Sequence, residues 1–223
     1  VISRILILCG GKGTRWGDFL NVPKQMLALT GEPLLHRTVR QFRAAVPGVP
    51  ITVISRDLSA PGVPSVDPLP GDLNTDKFAS SLPLWGGTGS TLFVHGDVFF
   101  ESKDVTAIVA ACADRSLWFG NMRFYELLAS YVAADEMEAW INVMRHVLNQ
   151  ERNQLTAGGA WRMLRLWNKL PAESEDGTPY PFPNYPTPLL GYLDCPGLSR
   201  DFDYPEDLVR WLTLVGNEKL AAM

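Results

Sequence analysis
Nothing in this chain limits its fold as sharply as the stretch that opens it. An unbroken apolar run, Ile5-Leu-Ile-Leu-Cys9, passes directly into Gly10-Gly-Lys-Gly-Thr-Arg-Trp-Gly17. A run of that length without polar alternation is what a strand shows when both faces of its sheet are covered. Glycines crowded just after it, at positions 10, 11 and 13, let the backbone approach a bound group and turn its N–H groups inward, which makes an anion-binding concavity. Arg15 adds a fork of donors able to hold phosphate oxygens in pairs. Lys24, set behind Pro23, adds a second point charge. Cys9, Gly10, Gly11, Lys12, Gly13, Thr14, Arg15 and Lys24 therefore read as a cradle for a triphosphate. Lys12 stands open between a phosphate contact and a solvent-facing residue. The plain alternative, a flexible surface turn, does not account for the buried strand before the loop or for the two cations.

Two better-known phosphate loops do not fit. A Walker loop needs four residues between its first glycine and a Gly-Lys-Ser/Thr, and no such segment exists. The dinucleotide fingerprint needs Gly-x-Gly-x-x-Gly running into a helix. Gly11, Gly13 and Gly17 miss that spacing by one residue, and Pro23 and Thr30-Gly31 intervene before a helical pattern begins.

That pattern is Pro33 to Val46, with Leu35, Val39, Phe42 and Val46 on one face. Ile51 to Ser55 reads as a second strand, Leu58 to Asp72 as a loop and Phe78 to Trp85 as a short helix. Thr91-Leu-Phe-Val-His95 reads as a third buried strand. Farther on come a helix over Val105–Ala113, strands over Leu117–Gly120 and Tyr125–Val132, and a helix over Glu136–Gln150 that Asp135 would cap. Two more helices follow, over Ala160–Leu170 and Glu206–Val215, separated by the proline-rich strap Pro171 to Pro188. Trp140, Trp161 and Trp167 fall on helical core faces. The order implies right-handed crossovers and an α/β fold, a three-layer α/β/α sandwich around a mostly parallel sheet. No linker divides the 223 residues, so the expectation is a single domain with a nucleotide-binding half over about residues 1–100 and an acceptor half over about 101–223.

Composition narrows the partners. A net charge of −4 argues against a general nucleic-acid binder. No apolar run approaches the roughly 18 residues of a membrane span, and Ile5 to Cys9 is too short for a secretory signal. Cys9, Cys112 and Cys195 are odd in number and widely spaced, as expected of thiols in a reducing cytoplasm. The oligomeric state is left open.

Two acidic segments complete the chemistry. Asp97, just past the third buried strand in Val94-His-Gly-Asp-Val98, would lie at the carboxyl edge of the sheet, where open α/β sheets bind ligands. A carboxylate beside a polyphosphate repels it unless a cation intervenes, so Asp97 implies Mg²⁺. In Asp201-Phe-Asp-Tyr-Pro-Glu-Asp-Leu208, Glu206 and Asp207 are accounted for by the positive end of the following helix.

Ile5 to Phe42, with its Gly-Gly-x-Gly-Thr-Arg, Pro-Lys-Gln and Gly31-Glu-Pro-Leu-Leu35, resembles the nucleotidyltransferases that activate sugar phosphates and related small phosphates, the MobA-like NTP transferases among them. Beyond residue 42 the likeness continues in islands at Lys77–Leu84, Val94–Val98 and Asp201–Leu208. The resemblance implies a GT-A type, Rossmann-like fold shared with glycosyltransferases, and transfer of a nucleoside monophosphate from a nucleoside triphosphate to a small phosphorylated acceptor. It implies catalytic roles for Arg15 and Lys24, and Mg²⁺ held by Asp97 and by Asp203, with Asp201 in reserve. Tyr204 departs from the more usual Thr. The resemblance also points to Lys77, Ser80 and Ser81 as nucleotide contacts, although helix capping explains the serines equally well. Two rival readings share these residues: a glycosyltransferase using a nucleotide sugar, and a nucleotide-binding regulator without catalysis.

Overall fold
The computed structural model describes residues 1–10, 15–17, 19–67, 75–85, 89–124, 126–153, 159–170 and 191–221. The opening run forms β1 (Ile2–Leu8), flanked in parallel by β2 (Ile51–Ile54) and β4 (Ser90–His95). Alternate residues of β1 enter different cores. Ile5 and Ile7 pack with α1 (Leu34–Ala45) and α3 (Ser102–Ala111), whereas Leu6 and Leu8 pack with α4 (Met137–Arg152) and α5 (Ala160–Trp167). Burial on both faces is what the missing polar alternation encodes.

The remaining strands are β3 (Ser65–Val66), β5 (Val98–Phe99), β6 (Leu117–Asn121), β7 (Glu126–Val132), β8 (Tyr192–Asp194) and β9 (Arg200–Asp201). Seven of the nine described strands form one sheet in the order β3-β2-β1-β4-β7-β6-β8, with β7 antiparallel to both neighbours. Strands from both halves of the sequence thus share a sheet that is mostly parallel and covered by helices on two faces. Among the described residues no helix is long and apolar enough to cross a membrane.

Several boundaries differ from expectation for identifiable reasons. The helix over Phe78–Trp85 is instead α2 (Asp76–Ala79) and a separate 3-10 turn, Leu82–Leu84, because Pro83 supplies no N–H to continue the first. The loop over Leu58–Asp72 contributes the two-residue edge strand β3 where it is described. Asp135 caps no helix; it lies in a 3-10 turn, Ala134–Glu136, ahead of α4. The Glu136 carboxylate accepts a hydrogen bond from the Ser116 N–H, which ties this helix start to the edge of β6. Trp140 is buried and stacks on Phe93 with an interplanar angle of 3°, a core residue as expected. The strap over Pro171–Pro188 lies outside the described residues.

A third apolar cluster sits beyond the carboxyl ends of the parallel strands. Trp16, Leu27 and Leu34 from the early chain pack there against Phe99, Phe202, Leu208 and Trp211, the last two on α6 (Pro205–Ala221). Trp16 donates its indole N–H to the Val22 carbonyl at 3.1 Å and meets Phe19 edge-on. This cluster anchors the exit of the glycine loop to the late segment that bears Asp201 and Asp203.

Candidate active site
The glycine loop begins at the carboxyl end of β1. Cys9 donates its N–H to the Ile54 carbonyl and is 6% exposed, so its donor is committed to the sheet and its thiol to the core. Burial, reinforced by Asp97, pushes that thiol above the usual cysteine range. Cys9 therefore offers a triphosphate neither a free N–H nor a thiolate, which corrects its place among the expected contacts. Gly10 follows at the strand end; Gly11, Lys12, Gly13 and Thr14 lie outside the described residues. Asp97 occupies the tight turn between β4 and β5. Its neighbour has to be glycine, since a Cβ on Gly96 would stand 2.3 Å from the Cys9 sulfur.

Lys24 begins a 3-10 turn after Pro23 and extends its ammonium into the gap between β4 and β9. There it contacts Asp97 Oδ2 at 2.7 Å, Asp201 Oδ1 at 3.1 Å and Asp203 Oδ1 at 3.2 Å. Arg15 closes the far side, with its guanidinium 2.8 Å from Asp203 Oδ2 and 5.6 Å above the ring of Tyr204. The tyrosine that departs from the more usual threonine thus forms a platform for the arginine. Asp201 and Asp203 reach this point because β5 and β9 pair antiparallel, with Val98 opposite Asp201. The aspartates expected from mid-chain and from the late segment are therefore brought to one place, and Asp201 is there together with Asp203.

The electrostatics follow from this crowding. Burial pulls the Lys24 ammonium down, but Asp97, Asp201 and Asp203 outweigh it and hold lysine above its ordinary range. Burial pushes Asp97 up, yet Lys24, aided by Lys77 and His95, keeps its carboxylate well below the usual values. Burial and the charges of Asp97 and Asp203 push Asp201 up to about 7 against the pull of Lys24. Glu126, at the start of β7, is raised to about 9 by burial and by Asp201 and Asp203. His95 is lowered to about 3 by burial and then by Lys77.

Lys77 is half-buried on α2 and its charge acts on Cys9, His95 and Asp97, which puts it on the same edge of the sheet. Ser81 is different. It is fully buried, donates to the Phe78 carbonyl at 2.6 Å and accepts the Trp85 indole N–H at 2.7 Å. Its hydroxyl belongs to the core, a correction to its expected place at the nucleotide. Ser80 likewise is buried and donates to the Lys77 carbonyl at 3.2 Å. A Ser81→Ala substitution is expected to cost about 1–3 kcal/mol by stranding the Trp85 donor. Thermal denaturation should register that loss while the KM for a nucleoside triphosphate stays unchanged.

A positively charged loop exit beside a ring of acids, at the carboxyl edge of a mostly parallel sheet, is the arrangement against which relatives can be weighed. The family of MobA-like NTP transferase domains matches residues 5–164. The chain belongs to this family. The MobA-like domain, and with it nucleotidyl transfer as the class of reaction, covers the glycine loop, Lys24 and Asp97, while Asp201 and Asp203 lie beyond the matched residues. Among curated proteins none matches the sequence significantly. Solved structures share the fold at low identity. A UDP-glucose pyrophosphorylase from Acinetobacter baumannii superimposes with a TM-score of 0.59 at 11% identity, covering 98% of this chain and 94% of the other. A putative glucose-1-phosphate thymidylyltransferase from Bacillus anthracis gives 0.59 at 13% identity, over 95% and 94% of the two chains. A CTP:phosphocholine cytidylyltransferase from Streptococcus pneumoniae gives 0.55 at 11% identity, over 96% and 100%.

The sequence signals singled out Asp97, Lys24 and Arg15, which the structure brings together with Asp201 and Asp203, but gave no hint of Trp16 as the anchor of the loop. An aromatic residue between two charged or flexible positions shows no periodicity to read.

Proposed function
We propose that this MobA-like domain transfers a nucleoside monophosphate from a nucleoside triphosphate to a small phosphorylated acceptor, such as a sugar phosphate, and releases pyrophosphate with the help of Mg²⁺. The observation that carries this reading is the position of the Lys24 ammonium, within 2.7–3.2 Å of Asp97, Asp201 and Asp203 with Arg15 beside them. In the reaction an oxygen of the acceptor phosphate forms a bond to the α-phosphorus. The bond from that phosphorus to the β-bridging oxygen breaks, and pyrophosphate leaves with the electron pair. The attacking oxygen is already anionic, so no strong general base is needed. What remains is alignment and neutralisation of charge on the reacting phosphates. Arg15, braced by Tyr204, can grip phosphate oxygens with two donors. Lys24 can exchange carboxylate oxygens for phosphate oxygens over a short arc of its side chain.

The donor set suits a hard divalent cation. Asp97 Oδ1 is buried and has no hydrogen-bond partner among the described residues, and carboxylate oxygens are the ligands that Mg²⁺ prefers. Among the described residues no group of three or more Asp, Glu, His or Cys side chains is arranged to hold a metal as it stands, since the Lys24 ammonium takes the centre of the aspartates. Mg²⁺ is commonly held by only one or two carboxylates plus substrate phosphates and water, and Asp97 and Asp203 would supply those two. When bound, Mg²⁺ offsets the charge of the phosphate oxygens and of the departing pyrophosphate.

A pyrophosphate-release screen of the common nucleoside triphosphates against phosphorylated sugars and alcohols, with Mg²⁺, tests the reading. One pairing should release pyrophosphate in proportion to acceptor. Binding of a triphosphate without acceptor-dependent release across the panel would leave a regulator, and release of a nucleoside diphosphate from a nucleotide sugar would leave a glycosyltransferase.

A further inference from the structure
The two strands that bring Asp97 and Asp201 together are only two residues each. A ribbon that short does not hold its own register. A slip of one residue in β9 would turn Asp201 and Asp203 away from Lys24 and carry the buried Phe202 to the surface. Something outside the ribbon has to fix it, and the structure shows what does.

We infer that Asp104, on the first turn of α3, is a positioning residue for the acidic side of the active site. Its carboxylate is fully buried. It accepts the Gly197 N–H at 2.6 Å on one oxygen, and the Ser199 N–H at 3.2 Å and the Ser199 hydroxyl on the other. Gly197 has no room for a side chain, since a Cβ there would meet the carboxylate at 2.2 Å. Two neighbours complete the grip. Glu101 accepts the Leu198 N–H at 3.1 Å and donates its own N–H to the Ser199 hydroxyl, while the Asn121 amide donates to the Gly197 carbonyl at 2.8 Å. Every backbone N–H from Gly197 to Ser199 is therefore spoken for by a side chain of α3 or its entry. Asp201 follows two residues later, opposite Val98. The clamp sets the register of β9, the register sets where Asp201 and Asp203 stand, and Lys24 meets them there.

This inference rests on the proposed Mg²⁺ reading for one of its two tests and is independent of it for the other. In the unliganded protein, Asp104→Asn should speed amide hydrogen exchange over residues 198–203 while leaving β1 protected. In the presence of a non-hydrolysable nucleoside triphosphate analogue, it should weaken Mn²⁺ binding, read by electron paramagnetic resonance, by about 10-fold or more. Val147→Ala, a core truncation in α4, supplies a destabilised control that should change neither readout. Should Asp104→Asn fail to fold, Ser199→Ala removes one arm of the clamp and should move both readouts the same way by less. Unchanged exchange over 198–203 in both variants overturns the inference, as does Mn²⁺ binding at wild-type strength beside a wild type that binds it well. A wild type that takes up no Mn²⁺ overturns the metal reading alone, and hydrogen exchange still decides the clamp.

Discussion

A Lys24→Met protein is expected to turn over at least about 100-fold more slowly than the wild type, the scale of losing one preorganised electrostatic stabiliser. The same change should alter stability in a way that no surface lysine would. Its ammonium lies within 2.7–3.2 Å of three aspartates whose side chains are only 16–26% exposed. Removing it leaves those charges facing one another, at a cost of about 2–4 kcal/mol once their partial contact with water is allowed for. The part of the pH dependence that Asp97 contributes should reverse sign. In the wild type Asp97 is held below the usual carboxylate range, so its contribution is present above the unfolded-state pKa and fades only as pH falls through the lower folded value. Without Lys24, burial and its acidic neighbours would raise that carboxylate above the unfolded value. The variant should then lose stability as pH rises from about 4 toward 7. Thermal melts of both proteins across that range, with and without Mg²⁺, check the claim. The variant should recover more of its stability from the cation than the wild type gains. A variant whose melting temperature follows the wild-type curve at every pH contradicts the role given to Lys24.

Asp97→Asn is the second change of large effect. The amide fits the same turn and leaves Lys24 with Asp201 and Asp203, so the fold should survive. Turnover should nonetheless fall at least about 100-fold, and Mn²⁺ binding in the presence of a triphosphate analogue should be lost. Triphosphate binding itself, proposed for the loop and Arg15, should persist. Kinetics together with an Mn²⁺ titration separate these effects, and an asparagine variant with wild-type turnover would remove Asp97 from the centre of the site.

How far the sequence reveals this molecule depends on the distance over which each feature is encoded. The strand from Ile2 to Leu8, the helix from Leu34 to Ala45 and the strand from Ser90 to His95 carry their burial in runs of a few residues. They are legible because each is packed on faces that recur at a fixed period. Asp97 stands out because it follows directly on such a strand. By contrast, β5, β8 and β9 are two or three residues long, and no period can be read from so few. Asp104 is opaque for a different reason. An acid in the first turn of a helix is already explained by the helix itself, and its partners Gly197 and Ser199 lie 93 and 95 positions away. The pull of Lys24 on Asp201 spans 177 positions and comes into view only when β5 and β9 pair. Pro83, which ends α2 early, could have been read from the sequence, since proline interrupts any helix interior.

That separation of 177 and 179 positions between Lys24 and its late partners has a consequence for biogenesis. During translation the glycine loop and its cations emerge first, and they wait for residues 197–211 to leave the ribosome before the aspartates, Phe202 and Trp211 can dock. Until then Lys24 and Arg15 lack the late aspartates that they contact in the folded protein. Contacts so remote in sequence form late in folding because a long loop must close before they can contribute. The cluster around Lys24 is thus completed only after the late segment has been synthesised.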